Sequence, residues 1–335
     1  MMGWMRPSRL RELGVVGMNR RNIEFISRYN DRRLYPLVDD KLRTKMLAHE
    51  HQLATPTLRL VIRQQHEIRR IAEKLEGLQG FAVKPAHGSG GRGILVVTGR
   101  RGERFVRSSG REMDLDDLSR HLSNIIAGLF SLGGTPDTVI IEDLIQIDPR
   151  FAEYSYQGIP DIRIIVFRGY PVMAMMRLAT QVSDGKANLH QGAIGVGLDI
   201  GSGRAIHAVH FGRRVHVHPD TDAVLSGIQT PDWQTLLTLA ARCHEVVGLG
   251  YIGADIVIDR DRGPLLLELN ARPGLSIQVA NGCGLLPRLR QVEALANGAS
   301  AGERVAWSMQ AFGEAGLAET GAGSPPAQGT GVPAA

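Results

Sequence analysis

The sequence contains few cysteines and no long apolar run. Only 2 cysteines, Cys243 and Cys283, occur among 335 residues, and they do not form a CxxC pair. Two cysteines cannot form the disulfide framework of a secreted scaffold or a four-cysteine zinc site, so we expect a reduced, cytoplasmic protein. No stretch approaches the roughly 18 apolar residues that a membrane-spanning helix requires, so we expect no membrane segment.

The sequence also lacks a strong excess of one charge. It has 39 Lys and Arg against 34 Asp and Glu, a formal net charge of +5. This small excess does not by itself indicate a nucleic-acid partner, and we expect none. The hydrophobic content of 43% is enough to bury a sizeable core in one large domain or two interlocked lobes.

The chain divides into four segments. Residues 1–38 are rich in arginine, and because charged residues interrupt every apolar run that a targeting signal would need, we interpret them as a solvated basic arm. Residues 313–335 consist mainly of Gly, Ala, Ser, Pro and Thr, so we expect a disordered tail. Between these ends, helix and strand patterns alternate without an internal repeat, which predicts an α+β protein with one lobe at 39–135 and another at 136–312.

The spacing of apolar residues predicts the elements of both lobes. The first lobe is expected to contain helices at 39–53 and 66–75, strands at 57–62, 80–85, 94–98 and 104–107, and a helix from Leu115 capped by Asp114. The second is expected to contain strands at 138–141, 161–167 and 172–178, a helix from Pro231 to Val247 ended by Gly248, and a strand pair at 251–258 and 265–270.

A glycine-rich segment follows the predicted strand 80–85. Gly88, Gly90 and Gly93 spell GxGxxG, but a β-branched run without helical spacing follows, so the segment does not match the dinucleotide-binding motif. A loop between two strands is suited instead to fold over phosphates as a lid, with the ammonium of Lys84 directed toward them. The alternative is a glycine-rich turn beside a solvated lysine.

The strand pair near the end of the second lobe carries acidic residues. Glu268 and Asn270 are two residues apart, so strand alternation places both on one face. A turn at 260–263 predicts three cross-strand pairs: Asp259 with Pro264, Val257 with Leu266, and Asp255 with Glu268. Three side-chain oxygen donors are therefore expected to converge.

Two buried carboxylates repel each other unless a cation lies between them. Because oxygen ligands of this kind favour hard divalent cations, we interpret Asp255, Glu268 and Asn270 as ligands of Mg²⁺ or Mn²⁺. The alternative is an exposed acidic edge, or a salt bridge to Arg272 or Arg177.

Taken together, these motifs resemble the ATP-grasp ligases. The shared features are an early lysine, a strand lysine before a glycine-rich lid, an acidic hinge and a terminal Asp…Glu-x-Asn hairpin, and the string at 268–274 is the most specific. Within that superfamily, residues 39–289 are most similar to the ribosomal-protein-S6 glutamate ligase group and its alpha-L-glutamate ligase-like relatives. The resemblance implies an α+β ATP-grasp fold that holds ATP between two antiparallel sheets.

The resemblance also implies roles for individual residues. Lysines and the glycine-rich lid are expected to contact the ATP phosphates, and the hinge to bind adenine and ribose, which gives this set: Lys45 (or Lys41), Lys84, Gly88, Ser89, Gly90, Gly91, Gly93, Glu142, Asp143, Leu144, Ile145 and Asp161. Two Mg²⁺ or Mn²⁺ ions are expected at Asp255, Glu268 and Asn270. The expected catalytic residues are Arg163, Arg177, Asn188, His190 and Arg272. The alternatives are fixed ion pairs for the arginines and an ordinary loop position for His190.

The implied activity is ADP-forming carbon–nitrogen ligation. A substrate carboxylate attacks ATP to form an acylphosphate, which an amine captures, adding glutamate or another amino acid to a peptide or a small-molecule carboxylate. The first ATP-grasp helix follows only about 40 residues, so we expect a partner protein to supply the missing substrate domain. The main alternative is a catalytically silent, nucleotide-binding regulatory subunit of a larger complex. A third hypothesis, nucleic-acid binding through the basic arm, predicts an affinity that falls steeply with salt.

Overall fold

The computed structural model describes residues 6–88 and 90–314, and in these ranges the strands form two antiparallel sheets. The first sheet has the order β1-β6-β2-β3-β4-β5, and the second has the order β11-β10-β9-β8-β7-β12-β13. The strands are β1 Leu58–Ile62, β2 Phe81–Pro85, β3 Leu95–Arg101, β4 Arg104–Arg107, β5 Glu112–Met113, β6 Val139–Asp143, β7 Asp161–Phe167, β8 Tyr170–Leu178, β9 Ile194–Leu198, β10 Ala205–His210, β11 Arg213–Arg214, β12 Tyr251–Asp259 and β13 Gly263–Asn270.

The helices surround the two sheets. The α-helices are α1 Pro7–Glu12, α2 Met18–Arg20, α3 Ser27–Tyr29, α4 Pro36–Asp39, α5 Lys41–Glu50, α6 Ile71–Lys74, α7 Leu115–Ile126, α8 Trp233–Val247, α9 Ile277–Asn281, α10 Leu286–Glu293 and α11 Ala301–Phe312. A π-helical turn at Arg21–Ile26 joins α2 to α3, and 3-10 turns occur at Arg32–Leu34, Gln65–Arg70, Leu132–Gly134, Pro149–Tyr154, Leu189–Gln191 and Leu225–Gly227. Among the described residues, no helix is long and apolar enough to cross a membrane.

The predicted helix α7 covers the first sheet. The Asp114 side chain accepts a hydrogen bond from the Asp117 amide and caps the first turn. Leu118, Leu122 and Ile125 are fully buried and pack with apolar residues of the sheet into one hydrophobic core. The predicted helix and its cap at Asp114 are therefore confirmed.

The second sheet holds the larger core, which α8, α9 and α11 cover. The β7–β8 connection is a two-residue turn, because Arg168 and Gly169 both have positive φ and match the right-handed twist of a hairpin. We expected a longer turn that included Tyr170, but this residue starts β8. Helix α8 ends at Gly248, which has a φ of 69°, as predicted.

The N-terminal segment is a solvated arm only in its first part, residues 6–13, and packs on the protein from Val16 onward. Its apolar residues lie between arginines and pack on the second sheet, where Val16, Phe25, Ile26 and Val38 are buried. Phe25 meets Phe167 edge to face at a centroid distance of 5.6 Å. The prediction of a solvated arm was wrong for this part of the segment. We based it on the arginines, and the apolar residues between them are the ones that pack on the second sheet.

Three predicted features lie partly outside the described residues. These are Ser89 in the glycine-rich segment, the first five residues, and residues 315–335 of the tail. The described start of that tail is ordered, since the Glu314 amide donates to Asp199 Oδ1 at 3.0 Å. The predicted helix at 66–75 is instead a 3-10 turn that continues into the short helix α6.

Candidate active site

Helix α5 places a lysine between the glycine-rich segment and the second sheet. Asp40 caps this helix by accepting hydrogen bonds from the Leu42 and Arg43 amides, so its first turn is fixed. The Lys41 ammonium donates to the Gly88 carbonyl at 2.8 Å and lies 3.3 Å from Glu268 Oε2. Lys41 therefore joins the root of the glycine-rich segment to one of the predicted metal ligands.

Two further lysines surround a buried glutamate at the end of β6. Lys84 and Lys45 contact the two carboxylate oxygens of Glu142 at 2.7 and 3.0 Å, and we name these three residues the hinge cluster. Burial lowers the pKa of the Lys45 ammonium. For Glu142, burial acts to raise the carboxyl pKa, but Lys84 and Lys45 outweigh it and lower the pKa overall. The hinge cluster thus has two cations and one anion in a nearly water-free position.

Lys45 is more deeply buried than Lys41. Its ammonium also donates to the Pro56 carbonyl at 2.6 Å, and only 7% of the side chain is exposed. Lys41 is 21% exposed and lies directly beside the glycine-rich segment. Lys41, which we named as the alternative to Lys45, is therefore the more accessible of the two lysines.

The predicted hinge residues link the two sheets. Asp143 forms an ion pair with Arg59, and the Leu144 carbonyl accepts a hydrogen bond from Arg262 at 3.5 Å. Two residues further on, past the half-buried Ile145, the Gln146 amide donates to Asp259 Oδ2 at 2.9 Å. The segment after β6 is thereby held against the end of β12.

The glycine-rich segment connects two strands, as predicted. Gly90, Gly91 and Gly93 have φ values of 63°, 75° and 76°, a region that disfavours other residues. At Gly93 a Cβ atom would also lie 2.6 Å from the Phe130 ring, so a side chain there would displace the ring. The left-handed backbone conformation and the close packing against Phe130 both require glycine at this position.

The base of the same segment has a polar anchor. Asp137 accepts hydrogen bonds from the His87 amide, from the Thr138 amide and from the Ser131 hydroxyl. Gly88 also pairs with Ser131 in an isolated β-bridge. The loop therefore leaves and returns to fixed points, while its middle, where Gly90 and Gly91 are exposed, makes few contacts with side chains.

Four charged side chains meet on one face of the second sheet, and we name Asp161, Arg163, Arg177 and Asp255 the sheet-face cluster. Strand register brings them together, since Asp255 pairs with Arg163 and Asp161 pairs with Arg177. Arg163 binds Asp255 through two hydrogen bonds of 2.7 and 2.5 Å. Arg177 Nη2 lies 2.9 Å from Asp255 and 2.5 Å from Asp161, so it bridges the two acids.

Burial and charge act in opposite directions on these acids. Burial acts to raise the pKa of the Asp255 carboxyl, but the Arg163 and Arg177 guanidiniums outweigh it and hold the pKa below its usual range. Burial raises the pKa of Asp161 to about 6 against the opposing charge of Arg177. The cluster therefore keeps Asp255 ionised.

Asp255, Glu268 and Asn270 converge as predicted. Asn270 Nδ2 lies 3.5 Å from Asp255 Oδ2 and 3.4 Å from Glu268 Oε1, so all three side chains surround one point. Among the residues that the structure describes, no group of three His, Cys, Asp or Glu side chains forms a metal site. The present set has only two carboxylates and one side-chain amide, whose Nδ2 faces both carboxylates. Its chemistry fits a hard cation such as Mg²⁺.

Register explains how the convergence arises. Asp255 pairs with Glu268, as expected, but Val257 pairs with Leu265 and Asp259 with Gly263, one residue away from our prediction. The turn is one residue shorter, and a bulge between Asp255 and Ile256 restores the register. The two deviations cancel at the acidic residues.

Three predicted catalytic residues lie outside both clusters. Arg272 is 59% exposed, lies 3.9 Å from Asp39 and stacks 5.3 Å from the centre of the Tyr35 ring. Asn188 caps a 3-10 turn by accepting a hydrogen bond from the His190 amide, and the His190 side chain is exposed. Over the described ranges, no hydrogen bond or ion pair connects the side chains of these three residues to the sheet-face cluster.

Two buried polar side chains that hold the site in place, Asn30 and Asp259, were not among the predicted site residues. Asn30 exchanges hydrogen bonds with the Tyr251 backbone and donates to the Ala271 carbonyl, which fixes the chain beyond Asn270. Asp259 fixes the hinge to the second sheet, and its hydrogen bonds hold its pKa at about 2 although burial acts to raise it. Asn30 lies in the segment that we interpreted as a solvated arm, so only burial of neighbouring apolar residues could have indicated it.

Comparison with known proteins identifies one family and several distant structures. The family model described as "Sugar-transfer associated ATP-grasp" matches residues 20–294. Similar solved structures include the ATP-grasp ligase PsnB complexed with minimal precursor (15% identity, 84% of this chain, 63% of that chain, TM-score 0.43) and the D-cycloserine synthetase DcsG (17%, 82%, 72%, 0.44). A third is the D-alanine–D-alanine ligase from Bacillus anthracis complexed with ATP (13%, 87%, 69%, 0.41). The chain spans less than two thirds of the length of PsnB, and no curated protein matches it.

Proposed function

We propose that this chain, which belongs to the sugar-transfer-associated ATP-grasp family, is an ATP-dependent carboxylate–amine ligase that releases ADP. The ATP-grasp fold that we expected is confirmed by the family match and by the two antiparallel sheets. One observation carries the activity: two largely buried guanidiniums, of Arg163 (14% exposed) and Arg177 (11% exposed), lie beside a convergent Asp–Glu–Asn set on one sheet face. Phosphoryl transfer requires this combination of cationic side chains and metal ligands.

The nucleotide is proposed to bind between the two sheets. Lys84 and Lys41 supply positive charge for its phosphates, and Gly88, Gly90, Gly91 and Gly93 cover them with backbone amides. The residues of the hinge, Glu142, Asp143, Leu144 and Ile145, are proposed to bind adenine and ribose. The hinge cluster supports this arrangement, because it has an excess positive charge where an anion would offset it.

Asp255, Glu268 and Asn270 are the residues proposed to hold magnesium or manganese. A bound divalent cation would offset charge on the phosphates. The Lys41 contact with Glu268 supports the need for a cation at this point, since the structure already places an ammonium there.

Arg163 and Arg177 are proposed to orient the γ-phosphate and the attacking carboxylate. Both guanidiniums are held by ion pairs with Asp161 or Asp255, so they remain fixed as charge develops. The carboxylate oxygen bonds to phosphorus and ADP leaves. The amine nitrogen then bonds to the acyl carbon, phosphate leaves, and the nitrogen loses a proton. The glycine-rich segment excludes water from the acylphosphate.

The remaining assignments are predictions of finer detail. Asn188, His190 and Arg272 are proposed to contact the carboxylate or amine substrate, since His190 and Arg272 are exposed and Asn188 is only half-buried. Similarity to the S6 glutamate ligase group, addition of glutamate and a partner protein that completes the substrate site stay predictions. Both cysteines are free, which supports the cytoplasmic location that we propose.

ADP release tests the proposal. We expect release from ATP and Mg²⁺ in the presence of pooled carboxylates and amines, with an amide product detected by mass spectrometry. Glu268→Gln should lower the rate at least about 100-fold, because it removes charge at the proposed metal position. The side chain is 34% exposed, so stability should change by less than about 1 kcal/mol.

Glu112→Gln is the matched control. Glu112, like Glu268, is a partly exposed glutamate in an ion pair, here with Arg101, but it lies at the edge of the first sheet. This variant should retain normal turnover. Equal rates in the two variants would contradict the proposed role of Glu268.

One observation favours the silent regulatory subunit as a second candidate. Both Asp255 oxygens are bound by guanidiniums, which compete with a metal ion. This hypothesis predicts tight ATP binding, measured by calorimetry, without ADP release from any substrate pool.

A further inference from the structure

We propose that the N-terminal basic segment, residues 6–33, docks this protein on an anionic membrane surface. The whole excess of positive charge lies in this segment. It contains eight arginines and three acidic residues, a net charge of +5, which equals the +5 of the full chain. The rest of the protein is therefore neutral overall, and a uniformly basic surface does not describe it.

Several of these arginines have exposed side chains. Arg9, Arg20 and Arg28 form ion pairs with glutamates, but their side chains remain 54%, 41% and 60% exposed. Their guanidiniums are therefore accessible to water. Within the part of the chain that the structure describes, Arg6 and Arg11 have no carboxylate partner. Both residues are therefore available to an external anion.

Exposed apolar side chains accompany the arginines. Met18 and Ile23 are 65% and 68% exposed, and Leu10 and Leu13 are each 37% exposed. Four large apolar side chains thus contact water within 14 residues. A segment that combines arginines with exposed aliphatic side chains is typical of proteins that bind at the lipid interface.

The first helix of the segment is exposed to solvent along its length. Helix α1 has six residues, and none of them is buried. An isolated helix of this length is marginal in water, and a lipid surface would stabilise it by burying Leu10 while its arginines contact headgroups.

The segment is attached to the protein beside the candidate active site. The Val16 amide donates to Gln278 Oε1 at 2.8 Å, and Arg21 donates to the Pro273 carbonyl at 2.7 Å. Both contacts involve the region directly after Asn270. Docking would therefore hold the site at a fixed position relative to the membrane.

The apolar residues favour lipid over nucleic acid or an acidic protein. Recognition of a phosphate backbone depends on cationic and hydrogen-bonding groups, so exposed Met18 and Ile23 would add little to it. Insertion into the headgroup region uses both kinds of side chain. Lipid binding is therefore expected to need both the arginines and the aliphatic residues.

Vesicle cosedimentation of the full chain tests this inference. We expect binding to vesicles with about 30% phosphatidylglycerol, little binding to phosphatidylcholine alone, and weaker binding at high salt. The triple variant Arg6→Gln, Arg9→Gln, Arg11→Gln should lose about 100-fold in partitioning, since each arginine contributes about fivefold. Met18→Ser with Ile23→Ser should lose about tenfold or more.

Matched controls distinguish this segment from general surface effects. Arg63→Gln, Arg69→Gln, Arg101→Gln removes three exposed arginines of the first lobe, and Met46→Ser with Leu129→Ser removes two equally exposed apolar residues. All variants should keep the wild-type thermal unfolding midpoint, and the controls should bind vesicles normally.

Three results would overturn the inference. They are absence of binding to anionic vesicles at low salt, equal losses in the control variants, and binding to heparin or DNA that is unaffected by Met18→Ser with Ile23→Ser while vesicles are not bound. The last result would favour an acidic macromolecule. Failure of the ligase proposal would not affect this test, because no step in it requires ATP.

Discussion

The hinge cluster in the first sheet and the sheet-face cluster in the second both contain a buried carboxylate that contacts two cationic side chains. Glu142 contacts two lysines and has no second acid, so the hinge cluster has a net charge of +1. Asp255 contacts two arginines, of which Arg177 also contacts Asp161, so the sheet-face cluster is neutral. The first arrangement has positive charge available for an anion. The second holds its guanidiniums in fixed positions.

The two clusters also differ in their cationic side chains, which are lysines in the hinge cluster and arginines in the sheet-face cluster. A lysine ammonium is a compact charge on a flexible stem, suited to contact a phosphate that arrives and leaves. An arginine is planar and forms two parallel hydrogen bonds, as Arg163 does with Asp255, which suits a role in alignment. We infer that the hinge cluster supplies positive charge that binds the nucleotide, and that the sheet-face cluster supplies positive charge that aligns the reacting groups.

The largest expected effect is on stability, from Glu142→Gln. Loss of the only carboxylate leaves Lys45 and Lys84 buried without a counterion, so the free energy of unfolding should fall by about 3–5 kcal/mol. Asp255→Asn should cost less, because Arg177 retains Asp161. Urea denaturation in the absence of nucleotide would measure both values.

Asp143→Asn is the control for this comparison. Asp143 follows Glu142 directly but pairs with Arg59, which is 46% exposed, so its removal should cost under about 1 kcal/mol. A loss of similar size in all three variants would show that burial does not distinguish the clusters.

The next effect concerns nucleotide affinity. Lys84→Met should weaken ATP binding by about 10- to 100-fold, because it removes a charged hydrogen-bond donor. Arg163→Met should weaken ATP binding less and lower turnover more, if arginines align the reaction. Calorimetric titration of ATP and steady-state rates would test these separate roles of Lys84 and Arg163. Equal changes in ATP affinity in the two variants would contradict them.

The smallest effect concerns the link between the two regions. Burial acts to raise the pKa of Asp259, but hydrogen bonds from Arg262 and the Gln146 amide outweigh it and hold the pKa at about 2. Because the folded pKa lies below the unfolded value of 3.8, this carboxylate stabilises the protein above pH 4, and the contribution disappears as the pH falls toward 2.

Asp259→Asn should therefore lower stability by about 1 kcal/mol at pH 7 and have less effect near pH 2. Denaturation curves at several pH values would show it. A constant difference between the variant and the wild type across that range would contradict the role of the charge.

Local patterns were sufficient to predict much of this protein. The two-residue spacing of Glu268 and Asn270 predicted their common face, and the Asp255–Glu268 pair is confirmed. The predicted length of the turn between β12 and β13 was wrong by one residue. A bulge compensates for it, and neither feature has a signal in a single sequence.

Long-range contacts were the part that could not be predicted. Lys41 and Lys45 lie on the same face of α5, one turn apart, so the choice between them depends on which turn of the helix lies against Glu142. The packing of the N-terminal segment was concealed because Phe25 and Ile26 are a short apolar pair among arginines. Its contacts with residues more than 220 positions away arise only in the folded chain.

The most direct test of the account is a crystal structure with Mn²⁺ and a non-hydrolysable ATP analogue. We predict an anomalous manganese peak within about 2.5 Å of oxygens from Asp255, Glu268 and Asn270, with the triphosphate between this peak and Lys84. A triphosphate bound elsewhere, with these three side chains directed into solvent, would contradict the account.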